Sequence, residues 1–289
     1  MIKLNDKLAR CYEKLSRIAT PETLAKSVLG REITLFHFGK NPKTLLVGGI
    51  HAREWITALL LTALAEKEGE SAEYGFDLAP CLNPDGMSLC LDGTGSVPDE
   101  DVRRNLLKLN GGNDDFSQWK ANAAGVDLNV NFDADWGEGR YNVTEPGAAN
   151  YIGREPCSEP ETAAAVALLG RGYSLVASYH SLGEEVYWGY ESNFRHYWEA
   201  KEYASFVGYA LKRSENSSGG LKDYYAMNYP GLGLTVEVGD EREGHPYPEE
   251  KLDSLVKKHE GSVKLLASLG ERIHAGLYGG SAQRGGKSV

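Results

Sequence analysis

An apolar segment near the N-terminus leads directly to two side chains of the types that often serve as metal ligands. The run Thr-Leu-Leu-Val at residues 44–47 is followed by Gly-Gly-Ile, then His51, and Glu54 lies three residues further on. This spacing places both side chains on the same side of a helical turn. An imidazole and a carboxylate presented together are two of the three protein ligands of a catalytic zinc site, which keeps a fourth position for water. On its own, His-x-x-Glu is more often a surface histidine beside a solvated glutamate.

A second histidine and a further glutamate occupy comparable places. Of the seven histidines, only His51 and His180 stand at the exit of an apolar run, which for His180 is residues 175–179. Glu237 lies inside the apolar residues 234–238. A buried carboxylate is unfavourable without a partner. It therefore either pairs with a buried lysine or arginine, or serves as the general base for a metal-activated water.

These side chains need a scaffold, and the pattern of elements indicates an α/β domain with a mostly parallel sheet. Apolar strand-like runs alternate with helical segments, and functional groups gather past the carboxyl ends of parallel strands. We predict helices over residues 3–17, from about 21, and over 54–67, 158–169, 194–212 and 249–269, with strands over 32–37, 44–47, 76–82, 175–179 and 234–238. Asn83-Pro-Asp-Gly predicts a turn, and residues 91–157 predict functional loops.

No domain boundary is visible in the 289 residues. We expect one catalytic domain over residues 1–278, with a helical N-terminal extension over 1–28 and a mobile tail over 279–289. The net charge of −10 argues against nucleic acid and anionic membranes as partners. No apolar run reaches 18 residues, and the first residues lack the apolar core of a secretory signal, so we expect a cytoplasmic protein. The four cysteines show no Cys-x-x-Cys spacing and are predicted to be free thiols.

Five short motifs, in this order along the chain, resemble the zinc carboxypeptidases of the carboxypeptidase A type. They are His51-Ala-Arg-Glu-Trp, Asn83-Pro-Asp-Gly, Gly125-Val-Asp-Leu-Asn, Ser178-Tyr-His-Ser and Thr235-Val-Glu. The resemblance implies a single three-layer α/β/α domain with a mixed, mostly parallel sheet of about eight strands. It also implies one zinc ion bound by His51, Glu54 and His180, a zinc-activated water, and Glu237 as the general base.

Three positions depart from the family pattern. Val130 follows Asn129 where the family usually has an arginine that grips the substrate's carboxylate, and valine offers no such bond. Lys120 falls where the family has a carbonyl-polarising arginine, and it would act as a point charge, with Arg103 and Arg104 as alternatives. Glu215 falls near the family's mobile tyrosine, for which Tyr224 or Tyr225 could substitute.

The remaining candidate substrate contacts have plain structural alternatives. Arg53, between the two proposed ligands, either faces substrate or pairs with a surface carboxylate. Asn129 either binds substrate or caps a turn. Arg140 and Arg154 are candidates to replace the arginine missing at Val130.

The segment at residues 109–129 more specifically resembles a bacterial branch that hydrolyses γ-D-glutamyl-diamino acid bonds in murein peptides. We therefore predict a peptidase that cleaves the γ-D-glutamyl-diaminopimelate bond of soluble muropeptides. No LysM module is visible, which suits such a substrate. The alternatives are a conventional carboxypeptidase anchored by Arg140 or Arg154, a zinc-dependent deacylase of small acyl amino acids, and a peptide-binding protein without turnover.

Overall fold

The computed structural model describes residues 3–71, 73–214 and 218–278. The predictions for Glu215 and for the tail at 279–289 lie outside these ranges. The helices are α1 Asp6–Ser16, α2 Ile56–Glu68, α3 Pro84–Asp92, α4 Glu100–Leu109, α5 Pro160–Leu169, α6 Tyr197–Val207, α7 Leu221–Asn228, α8 Leu252–His259 and α9 Ser262–Tyr278. The strands are β1 Thr20–Lys26, β2 Glu32–Phe38, β3 Thr44–Val47, β4 Phe76–Ala79, β5 Leu175–Ser181, β6 Glu185–Trp188, β7 Ala210–Arg213 and β8 Leu232–Val238.

One sheet of eight strands runs in the order β1-β2-β4-β3-β5-β8-β6-β7. The central strands β4, β3, β5 and β8 are mutually parallel, whereas β1, β2 and β6 join by antiparallel pairings. The central strand β5 is buried along its whole length because helices cover both faces of the sheet. Its Leu175, Ala177 and Tyr179 enter one apolar core, and Val176 enters the other. The predicted three-layer architecture with a mixed sheet is confirmed.

The N-terminal extension is helical only over Asp6–Ser16. The second helix predicted from Thr20-Pro21 is wrong, because Thr20–Lys26 is an edge strand. It pairs antiparallel with β2 from Thr20 opposite His37 to Lys26 opposite Glu32. Proline is tolerated on an edge strand because its nitrogen need not donate to a neighbour.

Asn83-Pro-Asp-Gly begins a helix instead of forming the predicted turn. The Asn83 side chain accepts a 2.9 Å hydrogen bond from the backbone N–H of Gly86, and Pro84 is the first residue of α3. An N-cap asparagine followed by proline is a helix start, since proline's missing N–H is not needed there.

Two long predicted helices are shorter than expected, and glycine ends each of them. Tyr197–Val207 stops at Gly208, which has φ of 71°, and the chain then forms β7. The segment predicted at 249–269 is divided into α8 and α9 around Gly261, which has φ of 87°. Glycine adopts this left-handed conformation without strain and commonly ends helices. In the described ranges, none of the helices has the length and apolar character needed to cross a bilayer.

Candidate active site

Three neighbouring parallel strands carry the candidate site at their carboxyl ends. β5 lies between β3 and β8, with Val47 opposite Ser178 and His180 opposite Glu237. The turn after β3, which holds His51, therefore meets the last residues of β5 and β8 at one edge of the sheet.

The His51 turn is shaped by close backbone packing. Gly49 has φ of 55°, and a Cβ there would lie 2.9 Å from Sγ of Cys81, so a larger residue would be both strained and crowded. Asn83 reaches across with its Nδ2, which donates to the backbone oxygens of Ile50 and Ala121 at 3.1 Å each. One asparagine thus starts α3 and ties this turn to the segment that carries Lys120.

His51, Glu54 and His180 converge on one point. Nδ1 of His51 lies 2.9 Å from Oε1 of Glu54, and Nδ1 of His180 lies 3.0 Å from Oε2 of Glu54 and 3.2 Å from Nδ1 of His51. A tetrahedral ion with bonds of about 2.0–2.1 Å holds its ligand atoms about 3.3 Å apart. All three side chains are buried, and Nε2 of His180 has no hydrogen-bond partner among the described residues. This donor set fits zinc.

The electrostatics of this cluster also suit a cation. Burial opposes ionisation of Glu54, but the adjacent histidines hold the pKa of its carboxyl well below its usual range. Burial is the largest influence on the pKa of His51 and lowers it, but Glu54 and Asp127 together raise that pKa overall. Glu54 is therefore an anion at neutral pH, the form in which a carboxylate binds a metal ion.

Behind the cluster, Asp127 joins His51 to Lys120. Its Oδ1 lies 3.2 Å from Nε2 of His51, although the ring N–H is not well aligned with it, and its Oδ2 lies 2.8 Å from Nζ of Lys120. Backbone N–H groups of Asn129 and Asn150 each donate to the same carboxylate at 3.1 Å. Despite complete burial, Lys120 and His51 keep the pKa of Asp127 far below its usual value. The carboxylate thus orients one candidate ligand and one cation.

A cavity of about 330 Å³ opens beside the cluster. Its lining includes Lys120, Asn129, Val130, Arg140 and Glu237. Burial raises the pKa of Glu237 to about 7, the negative Glu54 adds to this, and the positive charge of His180 opposes it. A carboxylate with a pKa near neutrality is suited to accept and return a proton.

Asn129 and Val130 form part of the cavity wall. Oδ1 of Asn129 accepts a 3.1 Å hydrogen bond from the N–H of Leu221, the first residue of α7. Asn129 therefore caps a helix and lines the cavity at once. The backbone of Val130 packs on Gly219, where a Cβ would lie 2.6 Å from the Val130 oxygen.

Several other predicted contacts are not brought into this cavity. Tyr225 is buried, and its hydroxyl donates to the backbone oxygen of Tyr173 at 2.6 Å. Tyr224 packs near Phe132, with ring centres 6.1 Å apart, and Arg154 is exposed; neither lines the cavity.

Three further arginines that were predicted to contact substrate also lie outside the cavity lining. They are Arg53, Arg103 and Arg104. Arg53 is half-buried, and its Nε has no partner in the described part of the chain. Arg104 is exposed and pairs with Asp101, while Arg103 donates to backbone oxygens before α4. Among the three candidates for polarising the carbonyl, the structure brings Lys120 to the cavity.

Sequence reasoning missed Lys222, Asp223 and His245. Lys222 and Asp223 line the cavity, and the signal available was a charged pair one residue beyond Gly219-Gly220. His245 has a buried Nδ1 without a partner among the described residues. Burial lowers the pKa of His245 to about 4, although the negative charge of Glu54 opposes this shift. His245 is therefore a neutral imidazole near the site. No pattern in the sequence marks it.

Comparison with known proteins assigns the chain to a family. The family described as zinc carboxypeptidase matches residues 4–260. The chain belongs to the zinc carboxypeptidase family. It is accordingly a zinc metallopeptidase that acts on peptides, and His51, Glu54 and His180 are grouped as a possible site for its metal.

Two relatives and one solved structure show what the chain is similar to. Gamma-D-glutamyl-L-diamino acid endopeptidase 1 of Lysinibacillus sphaericus is 31% identical over 278 residues, or 88% of this chain and 68% of that protein. The uncharacterized protein YqgT of Bacillus subtilis is 31% identical over 254 residues, or 78% of this chain and 66% of that protein. The crystal structure of carboxypeptidase A from Helicoverpa armigera has a TM-score of 0.69 at 19% identity, covers 94% of this chain and 72% of its own, and shows the shared fold.

Proposed function

We propose that the enzyme hydrolyses the γ-D-glutamyl bond to a diamino acid, as in L-Ala-γ-D-Glu-meso-diaminopimelate. The observation that carries the proposal is Val130, which stands in the cavity wall beside Asn129. A free α-carboxylate next to the scissile bond needs a cationic partner when it is desolvated, and valine supplies none. The relative from Lysinibacillus sphaericus, whose name states this bond specificity, supports the same substrate class.

The proposed roles follow from where each side chain lies. Zinc bound by His51, Glu54 and His180 would act as a Lewis acid on the scissile carbonyl and on a water molecule. Glu237, in the cavity lining, takes the proton of the attacking water and gives it to the leaving amine. Lys120, held by Asp127, presents a fixed positive charge to the developing oxyanion.

Arg140 lies in the cavity lining, as do Lys120 and Lys222, and could hold the α-carboxylate in place of the missing arginine. The same observation supports the second candidate, a conventional carboxypeptidase anchored by Arg140. The two proposals differ in what they require beyond that carboxylate, because only the first requires a γ-linked acyl group and a diamino acid.

The deciding experiment offers both substrate classes to the purified zinc enzyme. We expect cleavage of L-Ala-γ-D-Glu-meso-diaminopimelate at the γ-D-glutamyl bond, identified by mass spectrometry, and poor release of C-terminal Phe, Leu or Lys from N-blocked dipeptides. Val130→Arg should shift kcat/KM toward the dipeptides, whereas Val28→Arg, at an exposed valine outside the cavity, should not. Efficient release of Phe or Lys with no cleavage of the tripeptide would return the enzyme to the conventional carboxypeptidases.

The cytoplasmic location predicted from the sequence implies that the substrate is a soluble muropeptide and not the intact cell wall. We expect soluble muropeptides to be cleaved faster than intact murein sacculi. Parallel digestion of both materials, with released diamino acid as the readout, tests this expectation.

A further inference from the structure

Residues of β8 and β6 form part of the cavity wall. Glu237, Thr235 and Gly233 share one face of β8, because alternate residues of a strand point the same way. Tyr187 of β6 pairs with Thr235, and both line the cavity. The row from Glu237 to Gly233 spans about 13 Å. A Cβ at Gly233 would lie 3.2 Å from Cγ of Lys222, so the bare backbone there makes room for that side chain.

Lys222 and Asp223 form the charged end of this cavity. Both side chains are at least 97% buried and form an ion pair with each other. Nζ of Lys222 also donates to the backbone oxygen of Gly189 at 2.7 Å. An ammonium group carries three N–H donors, so one donor is not taken up by these two acceptors. A buried ion pair adds little to stability compared with apolar residues, so folding alone does not explain why this pair is placed against a cavity.

A second observation at the same place points to a ligand. Oγ of Ser218 is buried, lines the cavity and has no hydrogen-bond partner among the described residues. Buried hydroxyl groups without a partner are rare in native proteins. Gly220 also contributes, because a Cβ there would lie 2.9 Å from Oδ2 of Asp223. A larger residue at position 220 would therefore crowd that carboxylate.

The pairing of one cation with one anion limits what can bind there. An apolar side chain would leave both charges without a new partner. A lysine side chain would bring its ammonium close to Lys222, and an acidic side chain would bring its carboxylate close to Asp223, with like-charge repulsion in either case. A group with a carboxylate and an ammonium on one carbon satisfies both at once.

We propose that Lys222 and Asp223 form the subsite for the distal amino-carboxylate group of the diamino acid, with the carboxylate on Lys222 and the ammonium on Asp223. This rests on the proposed function for the bond that is cut. The subsite proposal goes beyond the proposed function, because it assigns the preference for diaminopimelate over lysine or an apolar residue to two named side chains.

The test uses three peptides, L-Ala-γ-D-Glu-X, in which X is meso-diaminopimelate, L-lysine or L-norleucine. For the zinc enzyme we expect kcat/KM to be at least about tenfold higher for diaminopimelate than for either of the others, the size expected of a charge-assisted hydrogen bond. Lys222→Met/Asp223→Asn removes both charges at similar shape. It should reduce this preference below about threefold, mainly through KM for the diaminopimelate peptide.

Two controls separate recognition from folding. Lys222→Arg keeps the positive charge and should keep part of the preference, and Lys258→Met, which breaks the Lys258–Glu184 ion pair elsewhere, should keep all of it. Zinc content of each variant reports that the fold is retained. The readout is a ratio between substrates, which a general loss of structure would not change.

Calorimetric binding of free meso-diaminopimelate tests the subsite independently of turnover. We expect binding to the zinc enzyme and at least about tenfold weaker binding to Lys222→Met/Asp223→Asn, with L-norleucine binding both weakly. Equal kcat/KM for the diaminopimelate and norleucine peptides, or unchanged diaminopimelate binding in the double variant, would overturn the subsite. If none of the three peptides is cut but this binding difference is found, the proposed bond specificity fails while the subsite stands.

Discussion

Replacing Asp127 by asparagine tests whether one carboxylate holds the catalytic groups in place. Asp127 has two polar neighbours on each oxygen: Nε2 of His51 and the Asn129 N–H at Oδ1, and Nζ of Lys120 and the Asn150 N–H at Oδ2. Asparagine keeps one acceptor oxygen. Whichever way the amide turns, its NH₂ group faces two donors, so at most two of the four contacts survive.

The size of the effect follows from these lost contacts. Loss of a group that orients a metal-binding histidine typically weakens metal affinity 10- to 100-fold, which is about 1.4–2.7 kcal/mol. Breaking a buried ion pair costs about 3–5 kcal/mol of stability. We expect the lower end, because 18% of the Lys120 side chain is still exposed to water.

The assays are zinc competition with a chelator, thermal unfolding with and without zinc, and kcat/KM on the tripeptide. Asp99→Asn is the matched control. Asp99 also accepts backbone N–H groups, at the start of α4, but it is exposed and asparagine keeps that capping role. Wild-type zinc affinity in Asp127→Asn would refute the orienting role, even if activity fell for another reason.

Three further predictions concern single side chains. His180→Ala should remove most of the zinc that the purified protein holds at about one ion per chain, and His196→Ala should not; full zinc content in the first variant would exclude His180 as a ligand. Glu237→Gln should keep fold and zinc but lower kcat by about 10²- to 10⁴-fold, and near-normal turnover would require another base. Burial raises the pKa of Glu161 to about 7, above its usual 4.5, so the folded state holds a proton that the unfolded chain releases between these values. This contribution to stability, up to about 3 kcal/mol, is complete below pH 4.5 and is lost as the pH rises through 7. Glu161→Gln should therefore flatten the fall in melting temperature between pH 5 and 8, and an unchanged pH profile would argue against a protonated Glu161.

The part of the site that depends on strand ends could be predicted from the sequence. An apolar run that exits on a histidine gives both the strand and the residue past its carboxyl end. Parallel pairing then brings the ends of β3 and β5 together, as the clustering of His51 and His180 illustrates. The family motifs added the sheet size and the metal, neither of which the spacing alone could supply.

The cavity could not be predicted in this way, because its residues are joined by tertiary packing. The Lys222 side chain of α7 packs against Gly233 of β8, where the absence of a side chain leaves room for it. The burial of Tyr225 depends on a carbonyl oxygen of Tyr173, 52 positions earlier in the chain. The same limit explains why the helix predicted from Thr20 is wrong. This segment is a strand because it pairs with β2, and local propensity does not reveal that pairing.

The positions of the charges suggest why loss of the family arginine at Val130 is compatible with an active enzyme. The groups that would carry out hydrolysis are fixed by the ends of β3, β5 and β8 and by Asp127. The groups that would recognise the substrate stand on α7 and on the loop carrying Arg140. These two sets are held by different elements. The positive charge that the family places at position 130 can therefore be supplied at the far end of the cavity without displacing the zinc ligands. Substrate choice then follows the distance from the scissile bond at which the cavity presents charge, and a diamino acid is the kind of residue that carries charge both next to that bond and at the end of its side chain.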